Sequence, residues 1–211
     1  MPTKLLAAGP PSARARYLFS HGAGAGMETS FMQAIAGLLA ERGVATFRFE
    51  FAYMAARRET GAKRPPPRAE RLVDEYRAAV AAVPKGPRPL IGGKSMGGRV
   101  ASLVADDLHA QGLIAGLVCL GYPFHPPNRL EQLRTAHLEG LTCPALIVQG
   151  ERDPFGSRAE IEAMRLSNAI RFHWAGDGDH DLGPRGGSGH TRKGNLAAAA
   201  DAIVEFAELL A

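Results

Sequence analysis

The sequence predicts an α/β fold: a three-layer α/β/α sandwich with a mostly parallel sheet between its helices. Three observations predict it. Strand-like apolar runs alternate along the chain with segments of helical spacing, the pattern of parallel strands joined by helical crossovers. Two of the runs, residues 113–120 and 145–148, are almost unbroken, as expected of strands covered on both faces. With 211 residues, 45% hydrophobic and 22% charged, the chain suits one soluble domain over residues 1–211 with a large core.

Taken in order, residues 3–7 are a possible first strand and residues 17–20 (Tyr-Leu-Phe-Ser) a clear one. The second stops at His21-Gly22-Ala23-Gly24-Ala25-Gly26, a loop whose bare backbone N–H groups can approach an anion. Phe31, Ile35, Leu38 and Leu39 recur at helical spacing, and Gly43 ends that helix. Residues 44–51 read as a strand, with Ala45, Phe47, Phe49 and Phe51 on one face and Arg48 and Glu50, a candidate ion pair, on the other. Residues 52–67, basic and closed by three prolines, read as an irregular exposed loop. Leu72, Tyr76, Ala79, Val80 and Val83 mark a helix, and another is expected over 97–110. Later elements are a turn-rich loop from Gly121 to Pro127, a short helix near 129–137, a helix over 157–165, a strand over 170–174 and a last helix over 195–210.

The most informative stretch joins the strand ending at Ile91 to the helix after it. Gly93-Lys94-Ser95-Met96-Gly97 has the form of a nucleophile elbow, a sharp turn that lifts a serine hydroxyl above the sheet. Small residues two before and two after the serine are required because a Cβ there would clash across the turn. The alternative, a phosphate-binding P-loop, needs a glycine where the chain has Arg88.

Four loops at the carboxyl ends of strands carry chemistry: the first glycine loop, the elbow, Gly150-Glu151-Arg152-Asp153-Pro154-Phe155, and Gly178-Asp179-His180-Asp181. Their order, Ser then Asp then His, resembles the α/β-hydrolase superfamily, in particular its small lidless dienelactone-hydrolase-like members. A related branch includes the hydrolase-like domain of a chromatin acetyltransferase subunit. The resemblance spans nearly the whole chain and implies a minimal fold with no lid domain. It also implies a serine hydrolase that cleaves an ester or thioester through an acyl-enzyme on Ser95. His180 would be the general base and Asp153 its orienting acid, in preference to Glu151 at the same strand end. The backbone N–H groups of Ala23 and Met96 would hold the oxyanion. His173 and His190 are the less suitable imidazoles, and His21 is expected to brace the oxyanion loop. Tyr53, Tyr122 and Phe124 are candidate substrate contacts. No cofactor or metal is required. Asp177-x-Asp179-x-Asp181 resembles a calcium loop, but Leu182 and Ser188 stand where its glycine and glutamate belong.

Composition narrows the partners. The net charge of +4 is not concentrated in one block, so no nucleic-acid partner is expected. Arg57, Arg58, Lys63, Arg64, Arg68 and Arg71 form a basic segment that either draws an anion or is simply solvated. No run approaches the roughly 18 apolar residues of a membrane span, and residues 5–8 are too short for a signal-peptide core, so a cytoplasmic location is expected. Cys119 and Cys143 are expected to be buried free thiols. About two dozen residues separate their strands, too few for a lipase-like lid, which points to a shallow site for a small ester or acyl substrate. A catalytically silent interaction module on the same fold is the alternative.

Overall fold

The computed structural model describes residues 3–62 and 65–211. Seven strands form one sheet: β1 (Leu6–Ala8), β2 (Arg16–Ser20), β3 (Ala45–Phe49), β4 (Leu90–Lys94), β5 (Gly116–Leu120), β6 (Ala145–Gly150) and β7 (Ile170–Ala175). Their spatial order is β1-β3-β2-β4-β5-β6-β7, and every neighbouring pair is parallel except β1 with β3. β2 to β6 are buried along their whole length, which is why their sequences are so apolar.

Alternation of side chains sorts the core onto two faces. Leu18, Phe47, Phe49, Ile91, Leu117, Cys119 and Ile147 point to one cluster, and Tyr17, Phe19, Leu90, Val118, Leu120, Leu146 and Val148 to the other. The second face is covered by α1 (Ser30–Glu41) and α7 (Arg192–Glu208), through residues such as Phe31, Ile35, Leu39, Ile203 and Phe206. The first face is covered by α3 (Val73–Ala82), α4 (Met96–Ser102), α5 (Ala105–Ala110) and α6 (Arg158–Glu162). The three-layer α/β/α arrangement expected from the sequence is therefore present.

Four expectations need correction. Residues 52–67 are not wholly irregular: α2 (Ala52–Thr60) is a helix that Gly61 ends at φ 71°. Its alanines and arginines are good helix formers, and the prolines act only beyond its end. The helix expected over 97–110 is two, α4 and α5. Ser102 Oγ donates to the Arg99 carbonyl at 2.7 Å, and Leu103 and Val104 tighten into shorter-range bonds where the axis breaks. The segment near 129–137 holds only a 3₁₀ turn at Ala136–Leu138, after prolines and an Asn128 at φ 60° that cannot continue a helix. Arg48 and Glu50 do not pair: Arg48 donates to the Met27 carbonyl at 3.0 Å, and Glu50 meets Arg58 at 3.0 Å.

Cys119 and Cys143 are buried free thiols, and burial pushes the Cys143 thiol up to about 12. No helix among the described residues is long and apolar enough to cross a membrane.

Candidate active site

Ser95 sits at the junction of β4 and α4 with φ 51° and ψ −117°, a conformation that L residues rarely adopt. The flanking glycines make that turn possible. A Cβ on Gly93 would stand 2.6 Å from the Ser20 carbonyl oxygen, and one on Gly97 would stand 2.7 Å from the His21 carbonyl oxygen. The turn is pinned to the sheet by the Ser95 N–H, which donates to Leu120 at 2.9 Å. Ser95 is half-buried. Among the described residues its hydroxyl has no hydrogen-bond partner within 3.5 Å. Contacts of this kind commonly tighten only when a substrate is bound.

Asp153 lies in the turn after β6, its side chain fully enclosed. Phe155 N–H donates to Oδ1 at 2.8 Å, while Gln149 Nε2 at 3.0 Å and His180 Nδ1 at 2.8 Å both meet Oδ2. Glu151, the rival carboxylate, is committed elsewhere, accepting from Asp177 N–H at 2.9 Å and from Arg158 at 3.1 Å. With Nδ1 donating to the Asp153 carboxylate, Nε2 is left as the nitrogen that can accept a proton. The His180 ring is 22% exposed and lies 4.4 Å from that of Phe155. A Cβ on Gly121, at the end of β5, would come within 3.3 Å of His180 Nδ1, so His180 stands over the strand end that pins Ser95. Ser95, Asp153 and His180 thus gather at one edge of the sheet. His173 lies instead in β7, where burial lowers its pKa against the opposing pull of Glu205 and Asp201.

The first glycine loop is held from behind. His21 is fully buried; its Nε2 accepts from Phe51 N–H at 3.2 Å, which leaves Nδ1 to donate to the Gly22 carbonyl at 2.7 Å. Tyr53 Oη donates to the Ala23 carbonyl at 3.0 Å and Arg57 to the Gly24 carbonyl at 3.1 Å. Carbonyls engaged in this way leave the N–H side of the loop free. Neither the Ala23 nor the Met96 N–H has an acceptor among the described residues. Burial pushes the Tyr53 phenol up to about 12, which keeps it a neutral donor.

Other candidates fall differently. The rings of Tyr122 and Phe124 are completely buried, stacked edge-on at 4.9 Å inside the core. Neither ring is open to a substrate in this structure, contrary to the expectation from the sequence; the apolar character that suggested them reflects packing. Of the basic segment, Arg57 and Arg58 are used within the protein, and Lys63 and Arg64 lie outside the described residues. The three acids of the calcium-like stretch are also engaged. Asp177 pairs with Arg185 at 2.6 Å, Asp179 accepts from the N–H groups of Asp181 and Gly183, and Asp181 meets Lys94 at 3.3 Å.

Two residues not singled out from the sequence matter here. Gln149 is fully buried, and its amide joins three segments: Oε1 accepts from Tyr122 N–H at 2.7 Å, and Nε2 reaches Asp153 and the Tyr122 and Gly156 carbonyls. A polar residue near the end of a buried apolar strand was the available signal. Replacing Gln149 with leucine is expected to cost about 1–3 kcal/mol in denaturant unfolding, because it leaves buried donors and acceptors unpaired. Lys94, the second, is taken up below.

Burial also holds His21, His137 and His173 below the usual imidazole range. These groups favour the neutral ring in the folded state, so their stabilisation is complete above the unfolded value of about 6.5 and is lost as pH falls below it. The thermal midpoint is therefore expected to drop between pH 7.5 and 5.5, before carboxylates titrate. A flat midpoint over that interval would contradict this.

The family model described as an alpha/beta hydrolase domain matches residues 13–208, and the chain belongs to that family. Among solved structures the chain is similar to a dienelactone hydrolase from Anabaena variabilis, with TM-score 0.72, 19% identity, and 99% of this chain and 92% of that one covered. It is also similar to Est1E from Butyrivibrio proteoclasticus, with TM-score 0.71, 15% identity, and 97% and 94% covered. An α/β serine hydrolase homologue from Coxiella burnetii gives TM-score 0.68, 18% identity, and 99% and 92% covered. At these identities the likeness is one of fold.

Proposed function

We propose that the protein is a serine hydrolase that cleaves a small ester or thioester through an acyl-enzyme on Ser95. The observation that carries the proposal is the His180–Asp153 contact of 2.8 Å beside a serine held at φ 51°. In this reading Ser95 Oγ attacks the acyl carbon while His180 Nε2 takes its proton. The Ala23 and Met96 N–H groups hold the tetrahedral oxyanion, and His180 returns the proton to the departing alcohol or thiol. Water then repeats the sequence against the acyl-serine. Tyr53 supports the reading by fixing the oxyanion loop, and it is also the sequence-selected aromatic left near the surface. No cofactor or metal takes part.

A fluorophosphonate probe tests the proposal. Wild-type protein should be labelled on Ser95, with release of p-nitrophenol from p-nitrophenyl acetate. Folded protein that neither labels nor turns over would overturn it and favour a silent interaction module.

A further inference from the structure

Lys94 occupies the position immediately before Ser95, and the hydrolytic steps above make no use of it. Its side chain is 9% exposed, an unusual degree of burial for an ammonium group. Nζ lies 3.3 Å from Asp181 Oδ1 and 5.4 Å from the centroid of the Phe31 ring. A Cβ on Gly121 would stand 3.2 Å from Lys94 Nζ and 3.3 Å from His180 Nδ1, so the cation and the imidazole flank the same point above that glycine. Asp153 from the β6 turn meets the ring directly, and Asp179 and Asp181 flank His180 in its own loop; all three carboxylates act on the Lys94 ammonium of β4. Lys94 is the cation of this set, facing three carboxylates.

We propose that Lys94 is a positioning residue for His180. It anchors the His180 loop through Asp181, and its charge offsets the carboxylates that would otherwise hold the ring in its protonated form. The inference rests on the hydrolase reading above. Burial costs the ammonium, pulling it below its usual range, while Asp181, Asp153 and Asp179 act in the opposite sense. A lysine kept here against that cost needs a compensating role, and two functions meet at this point. The first is mechanical, since β4 and the His180 loop are tied together where nucleophile and base must meet. The second is electrostatic, since three carboxylates with no cation would favour imidazolium, which cannot accept the serine proton.

The two functions separate by sign. Lys94→Met removes a positive charge, so the acid limb of kcat/KM should move to higher pH by about one unit. Asp181→Asn removes a negative charge, so its limb should move to lower pH, by less because Asp181 is more exposed. Both should lower kcat more than they raise KM, and Lys94→Arg should keep the limb near the wild-type position. A purely mechanical clamp would give losses of activity without opposite displacements. The limb is read from the rate of fluorophosphonate labelling against pH and, independently of turnover, from the NMR titration of the His180 ring. Limbs that stay in place, or that move in the same direction in both variants, overturn the proposal while leaving a labelled wild type as a serine hydrolase. An unlabelled wild type removes the hydrolase reading and the inference with it. Should Lys94→Met fail to fold, Lys94→Gln removes the same charge while keeping a polar end, and its limb is set against that of Asp181→Asn in the same way.

Discussion

Ser95→Ala is expected to lower kcat by about 10⁴–10⁶ while leaving the melting temperature unchanged or slightly raised. The size follows from what remains: without the hydroxyl no acyl-enzyme can form, and only the oxyanion donors and binding contribute. Stability should not suffer, because Ser95 Oγ makes no hydrogen bond among the described residues and alanine keeps the same backbone. His180→Ala should cost nearly as much. Asp153→Asn should cost about 10⁴, since an amide at 2.8 Å from Nδ1 would favour the wrong tautomer of the imidazole. In the proposed mechanism the three groups act as a unit, so Ser95→Ala combined with His180→Ala should be scarcely slower than Ser95→Ala alone. Steady-state kinetics on an activated ester measure all four. Additive losses in the double variant, or a Ser95→Ala protein retaining a tenth of the rate, would mean that another group carries the chemistry.

Much of the fold is legible in the sequence, because burial on both faces leaves a mark there. The run 145–148 could hardly be anything but a covered strand, and the phenylalanines of 44–51 fell on one face as their alternation required. The elbow was readable for a different reason: a sharp turn restricts residue type so tightly that Gly93 and Gly97 stand out. Of the two carboxylates at that strand end, Asp153 meets His180, while Glu151 is held by Asp177 N–H and Arg158. Partnerships were less legible. Arg48 and Glu50 share a strand face, but each found a partner brought near by a loop or helix, Met27 and Arg58. The contacts of Gln149 with Tyr122 and of Lys94 with Asp181 join segments far apart along the chain, which no local periodicity reports. Helix α2 was obscured because its charges resemble those of a solvated loop, although its polar face is what a surface helix presents.

Gly92→Ala should produce the largest loss of stability of any one-methyl change in the sheet. Gly92 lies in central β4, with Phe19 on one side and Val118 on the other. A Cβ there would overlap the Val118 carbonyl oxygen and stand 2.9 Å from the Tyr17 hydroxyl. Both neighbours are already committed, since Tyr17 Oη donates to that same carbonyl at 2.9 Å. From the other face Tyr76 Oη accepts from Gly92 N–H at 2.8 Å and donates to its carbonyl at 2.6 Å. The methyl group cannot be admitted without parting β4 from β5 or ejecting a tyrosine hydroxyl. Either response adds buried unpaired polar groups to the steric cost, about 4 kcal/mol or more in total. For a chain of this size that is a fall in melting temperature of about 8–16 °C. Gly37→Ala provides the control of opposite sign. It lies exposed within α1 with nothing within 4 Å of its Cβ position, and alanine there should stabilise by about 1 kcal/mol. Thermal and chemical denaturation of the two variants test the close approach directly. A Gly92→Ala protein as stable as wild type would show that β4 and β5 are not packed this tightly. The strand that presents Ser95 would then lack the rigidity on which the strained elbow depends.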